Sequence, residues 1–180
     1  TATMLDNFSL DADLNIKGIL KFADTVNSKI LTTNGHLVFK SSASGTGILA
    51  PVLNNNNIVG VAQVERYLQN KKAWRFLYMP TKHDAQTINE SWMEGGENGS
   101  NINPGYGIRI TGPLSGAGFD SVTNGFTVKT LNPQTNSWEG ITSTMQPFEV
   151  NKGYMAFVRG DRSVSNINDP VTALSLIHIS

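Results

Sequence analysis

The sequence predicts an all-β chain: a short β-solenoid-like or hairpin ladder, followed by an antiparallel β-sandwich with one short helix. Three observations carry that expectation. Nineteen Asn and 17 Gly make up a fifth of the 180 residues, and both residue types favour turns and left-handed backbone over long helices. Phe8, Leu10, Ala12, Leu14 and Ile16 alternate with Ser9, Asp11, Asp13, Asn15 and Lys17, the period of a half-buried strand. Downstream, short runs rich in β-branched and aromatic residues are separated by Gly, Pro and Asn, a spacing that suits a sandwich.

Taken in order, residues 1–45 read as a β-ladder at the end of a longer β-repeat region. "LNIKGILKF" (14–22) and "LTTNGHLVF" (31–39) align at a spacing of 17, matching Leu14 with Leu31, Gly18 with Gly35, Leu20 with Leu37 and Phe22 with Phe39. A spacing of this size fits one coil of a β-solenoid. Asn34-Gly35 keeps a pair of hairpins open as the alternative, since that dipeptide suits a type I′ turn. "SSASGTG" (41–47) and "NNNN" (54–57) mark the module boundary.

Residues 46–170 read as the sandwich module. "IVGVAQVERYL" (58–68) and "AWRFLYM" (73–79) are expected to be strands of one hairpin across the turn "QNKK". Within the second, Trp74, Phe76 and Tyr78 share one parity, which is expected to face the core, with Arg75 pointing away. "TINESWMEGG" (87–96) carries a helix signature, with Thr87 and Glu90 spaced as a capping box and Gly95 as the stop. Strands follow in "GYGIRITG", "GFTVKTLN", "WEGIT" and "YMAFVRG". Residues 171–180, with the abrupt "ALSLIHIS", resemble a translated sequencing adapter and are read as a non-native tail, so His178 carries no functional argument.

Composition narrows the function classes. Lys plus Arg equals Asp plus Glu at 14 each, so no strong field draws the chain to nucleic acid. There is no Cys, which excludes disulfides and thiolate zinc sites. No run of eighteen apolar residues exists, and no membrane insertion is expected. Thr1 opens the chain with neither an initiator Met nor a signal-peptide pattern, so a fragment of a larger polypeptide is expected.

Candidate sites were weighed against structural roles. Asp11, Asp13 and Asn15 resemble the start of a calcium loop, but Ile16 and Phe22 stand where that loop needs Gly and an acidic residue; no metal is expected. His36, His83 and His178 form no zinc or triad pattern. Asp84, Glu90, Glu94 and Glu97 fall close together as glycosidase carboxylates would, yet a solvated helix face accounts for them. Glycines at 105, 107, 112, 116 and 118 lack the strand-to-helix setting of a dinucleotide fingerprint. Trp74, Trp92, Tyr106 and Trp138 are weighed as a platform that stacks on sugar rings, with core packing as the competing role, above all for Trp74 in mid-strand, and Trp92, Tyr106 and Trp138 remain the platform candidates. Arg159, Gly160 and Asp161 match the integrin-recognised adhesion tripeptide, but a strand leaving the sandwich through a turn is the expected role, and no host-ligand function is assigned to them.

Four spaced segments carry a family resemblance. "VERYLQNKKAWRFLYMP", "QTINESWMEG", "NPGYGIRITG" and "GYMAFVRGDRS", in that order, resemble a region of large cell-surface and secreted proteins of Bacteroidetes, which typically end in a sorting domain for type IX secretion. The resemblance runs from about Val38 to Ser163. It implies export and display at an extracellular or outer-membrane surface, and it supplies no catalytic residues. The expected function is therefore that of a non-enzymatic structural or adhesin-like segment, the alternative being a carbohydrate-binding β-sandwich module. No cofactor is expected; the expected partners are extracellular glycans, other surface proteins and neighbouring domains of the same polypeptide.

Overall fold

A computed structural model describes residues 1–23, 28–68, 72–79, 86–93, 107–149, 152–158 and 175–179. The chain is nearly all β, with one short helix, and divides into two compact units, Thr1–Tyr67 and Leu68–Ile179. The ladder thus runs to Tyr67 and does not end at residue 45.

The first unit contains β1 (Ala2–Met4), β2 (Phe8–Ser9), β3 (Leu14–Ile16), β4 (Ile19–Phe22), β5 (Ile30–Thr32), β6 (Leu37–Phe39), β7 (Ser41–Ser42), β8 (Gly45–Thr46), β9 (Ile48–Leu49), β10 (Asn57–Val59) and β11, whose full span is Ala62–Leu68. Strands β1, β4 and β9 pair in parallel, as do β2, β5 and β10, and β3, β6 and β11. Three successive coils therefore contribute one strand to each of three parallel sheets. The solenoid expectation is met in kind. The 17-residue register is not: Leu14 pairs with Leu37, and Leu31 pairs with Phe8.

Parallel stacking places like side chains above one another. Leu14, Leu37 and Ala62 form one column, Ile16, Phe39 and Val64 a second, and Phe8, Leu31 and Ile58 a third. Leu20, Phe22, Leu31, Leu37 and Phe39 of the middle coil are all buried, together with Leu10 and Ile16. The expected continuous strand from Phe8 to Ile16 is broken by a bend at Asp11-Ala12, because the chain turns there from one sheet to the next. Asn34-Gly35 is likewise a corner and not a hairpin turn: both residues have positive φ, and the Thr33 carbonyl accepts from the His36 N–H at 2.8 Å.

Asparagine supplies much of the corner chemistry. The Asn7 and Asn56 side-chain carbonyls accept the backbone N–H groups of Ile30 and Lys29, both at 2.8 Å, and the Asn34 amide donates to Ser9 Oγ and the Leu10 carbonyl. Each bond joins one coil to the next. The antiparallel β7–β8 pair is inserted between coils and is held by Glu65 on β11: this buried carboxylate accepts the Ser41 N–H at 3.1 Å and pairs with Lys40.

The second unit contains β12 (Ala73–Tyr78), α1 (Ile88–Trp92), β13 (Thr111–Gly112), β14 (Ser121–Val122), β15 (Val128–Asn132), β16 (Ser137–Gly140), β17 (Gly153–Val158) and β18 (Ser175–Ile179). Its main sheet is antiparallel, in the order β12-β17-β15-β16. The expected hairpin of 58–68 with 73–79 does not form, since β11 joins the ladder while β12 pairs with β17. The described residues of this unit also supply α1, packed on the sheet through Trp92 and Tyr154, and the parallel β13–β14 pair.

The capping box is present as expected: Thr87 Oγ1 accepts the Glu90 N–H, and the Glu90 carboxylate accepts the Thr87 N–H. Gly95, the expected stop, lies outside the described residues. The helix ends instead where the Ile108 N–H meets the Trp92 carbonyl at 2.7 Å. Gly107, with φ of +69°, makes this approach possible, because a Cβ there would press on the Met93 backbone.

Two outcomes test this architecture. Gly47 lies so close to the Ile16 carbonyl that an added methyl would collide with backbone. Gly47→Ala is expected to destabilise the ladder by ~1–3 kcal/mol, as overpacking does, read from urea melts. In the second unit, burial raises the pKa of Tyr154 above its ordinary value; the Glu149 N–H, which donates to the phenol oxygen at 3.0 Å, opposes that shift in part, while the Glu149 charge adds to it. The folded state thus favours the protonated phenol. This contribution is complete below about pH 10 and is lost as pH rises through the raised value. Thermal melts from pH 8 to 11 should show a steeper alkaline loss for the native chain than for Tyr154→Phe.

Candidate functional site

The outer face of the antiparallel sheet is built by strand alternation. On β17, Tyr154, Ala156 and Val158 are buried against the helix side, so Met155 and Phe157 point the other way. The register sets Trp74 opposite Phe157 and Phe76 opposite Met155. Lys129 lies opposite Met155 on the next strand, and Trp138 lies opposite Leu131 beyond it. Trp74, Phe76, Tyr78, Leu131 and Trp138 are therefore displayed together on an open face.

Exposure reverses the expectation for β12. Trp74 is 43% exposed, Phe76 75% and Tyr78 56%, whereas they were expected in the core. Arg75 instead shares the inner face with Ala156, its register partner. The parity was legible; its direction was set by β17, whose small Ala156 leaves room for the Arg75 stem.

The rings form a connected surface. Trp74 packs on Phe157 with centroids 5.3 Å apart, and Phe76 on β12 meets Trp138 on β16 at 5.7 Å, so these side chains lean over the central strands. Lys129 Nζ lies 5.4 Å from the Trp74 ring centroid, a cation–π distance. The face thus combines broad aromatic surface with one ammonium group.

The expected platform of Trp92, Tyr106 and Trp138 is not assembled as such. Trp138 lies on the open face, 38% exposed, but Trp92 is fully buried. It packs on Phe148 at 4.9 Å and edge-on to Tyr154 at 5.5 Å, which docks α1 onto the sheet. Its indole N–H has no acceptor among the described residues. Tyr106 lies outside the described residues, as do Arg159, Gly160 and Asp161 of the adhesion tripeptide and His83, Asp84, Glu94 and Glu97. Glu90 is engaged in the capping box. Asp13 pairs with His36 at 2.8 Å between adjacent coils, while Asp11 and Asn15 are exposed. Among the described residues no three His, Asp or Glu side chains converge as metal ligands.

A second concavity lies in the first unit, a cleft of about 300 Å³ lined by Lys17, Lys40, Ser41, Ser42, Gly45 and Glu65 among others. Its groups serve the fold. Glu65 takes Lys40 and the Ser41 N–H, Ser41 Oγ accepts the Tyr67 N–H at 2.9 Å and bonds Thr46 Oγ1, and Ser42 bonds Ser44.

The two tryptophans give a direct check on these faces. Trp92→Ala is expected to cost ~3–5 kcal/mol, the range for emptying a large buried site, whereas Trp74→Ala is expected to cost no more than ~1 kcal/mol, mainly its contact with Phe157 and Lys129. Urea melts of the two variants measure the difference, and equal losses would contradict the assigned faces.

No family model, curated protein or solved structure matches this chain.

Proposed function

We propose that this chain is a non-enzymatic, adhesin-like segment of a large bacterial cell-surface or secreted protein, and that it binds extracellular glycan through the open aromatic face of its second unit. The observation that carries the proposal is the display of Trp74, Phe76, Tyr78, Leu131 and Trp138, each more than a third exposed, on one sheet face. Large exposed apolar patches mark interaction sites more often than they occur by chance. Aromatic rings suit sugars because a pyranose has an apolar C–H face and a hydroxylated rim. The rings take the first, and Lys129, on the same face, offers donors to the second.

Glu65, Glu90 and Glu149 are engaged in the ion pair, cap and turn contacts of the fold, and the open face itself is dominated by aromatic rings beside one ammonium group, which supports a binding reading. The segmental resemblance to Bacteroidetes surface proteins supports extracellular or outer-membrane display by the type IX route. In that setting the parallel ladder serves as a rigid structural segment beside neighbouring domains of the same polypeptide.

Affinity electrophoresis through gels containing a neutral β-glucan, xylan or alginate tests the binding reading. Retardation by at least one polysaccharide is expected. The Phe76→Ala/Trp138→Ala variant should bind about tenfold more weakly, equivalent to ~1.4 kcal/mol, with stability within ~1 kcal/mol of the native chain. Migration unaffected by all three polysaccharides, or undiminished binding by the double variant, would overturn the proposal.

A further inference from the structure

The columns of the ladder do not end as they run. In the column Phe8, Leu31 and Ile58, the middle residue is 1% exposed and Phe8 is 57% exposed, although in-register pairing gives both the same inward direction. Leu14 is half-buried where Leu37, stacked on it, is fully buried, and Met4 is half-buried where Phe22 is buried. These side chains share the inward direction of the residues they stack on, and no described strand covers their outer side, although Leu10 and Ile16 of the same coil are buried.

The backbone shows the same end. Strands β1, β2 and β3 are each terminal in their sheets, with no strand among the described residues on their outer edges. Natural sheet edges are usually blunted by charged side chains, Pro or bulges. The residues of these three strands are Ala2, Thr3, Met4, Phe8, Ser9, Leu14, Asn15 and Ile16, which include no charge and no Pro. Three parallel edges therefore face the same way, with apolar side chains directed inward and the charges of this coil, Asp6, Asp11, Asp13 and Lys17, placed between the strands at its corners.

We propose that this end of the ladder is a stacking surface for one further parallel coil: three short uncharged strands whose inward residues are apolar and fall in register with Met4, Phe8 and Leu14. A single added strand would satisfy one edge and leave two. The existing coil-on-coil interface, in which β1, β2 and β3 each pair in parallel with the coil below, is the geometry that the added coil continues. The inference is independent of the glycan reading, because it concerns the first unit alone.

The test duplicates Thr1–Gly18 in tandem ahead of Thr1 and follows amide exchange in the complete chain. Exchange at the original β1, β2 and β3 is expected to slow at least tenfold, and a Phe8→Trp reporter in the original coil should shift its fluorescence to the blue. An extended chain whose added coil carries Phe8→Lys and Leu14→Lys should lose both effects. If the extended chain does not fold, the peptide of residues 1–18 added in trans to the native chain must produce the slowing. Unchanged exchange in both formats overturns the proposal. So does concentration-dependent protection of these strands in the native chain alone, which would make a second copy the occupant.

Discussion

The pairing of β17 with β12 on one side and β15 on the other constrains the second unit more than any other contact, because it assigns every side chain on three strands to a face. Tyr154, Ala156 and Val158 take the inner face and receive Trp92, Phe148 and the helix. The alternate residues, Met155 and Phe157, then carry the outer face, and Trp74, Phe76 and Lys129 follow by register. A slip of one residue would exchange the two sets. The aromatic surface is thus a consequence of how the inner core packs, and stability rests on the inner face while the outer face is left open.

The ladder applies a different constraint to the same kind of backbone. Its strands are two to four residues long over their paired stretches, too short to be stable as isolated ribbons. Stability comes from stacking, since a coil buries its inward residues most fully when covered on both sides. The middle coil meets that condition completely. Corner hydrogen bonds from Asn7, Asn34 and Asn56 then satisfy backbone groups that leave the sheets at each bend.

Charge is used sparingly and mostly inside the architecture. Glu65 is buried and would be costly without Lys40 and the Ser41 N–H; together they anchor the β7–β8 insertion to β11. Glu90 closes the helix start, and Lys152 pairs with Glu149 beside the Tyr154 hydroxyl. Lys129 differs because it lies over the Trp74 ring on the open face. The polar groups best placed to meet an external ligand are therefore few, and aromatic surface dominates the candidate site.

Local information in the sequence determined the all-β class, the strand parities, the Thr87–Glu90 cap and the left-handed Asn34-Gly35 corner, because each depends on residues a few positions apart. It also suggested a coiled ladder, with a pair of hairpins left open as the alternative. The register escaped it: aligning Leu14 with Leu31 matches similar residues, whereas the fold pairs Leu14 with Leu37, since intervening loops differ in length and only the closed three-sheet geometry selects the partner. The candidate site divided in the same way. Of the expected platform, Trp138 lies on the open face and Trp92 in the core, while Trp74, Phe76 and Tyr78 were correctly grouped on one face but given the wrong direction. Alternation states which side chains share a face; which face is covered depends on a strand some eighty positions away, where Ala156 and Tyr154 meet the helix, and that was decided only by the tertiary structure.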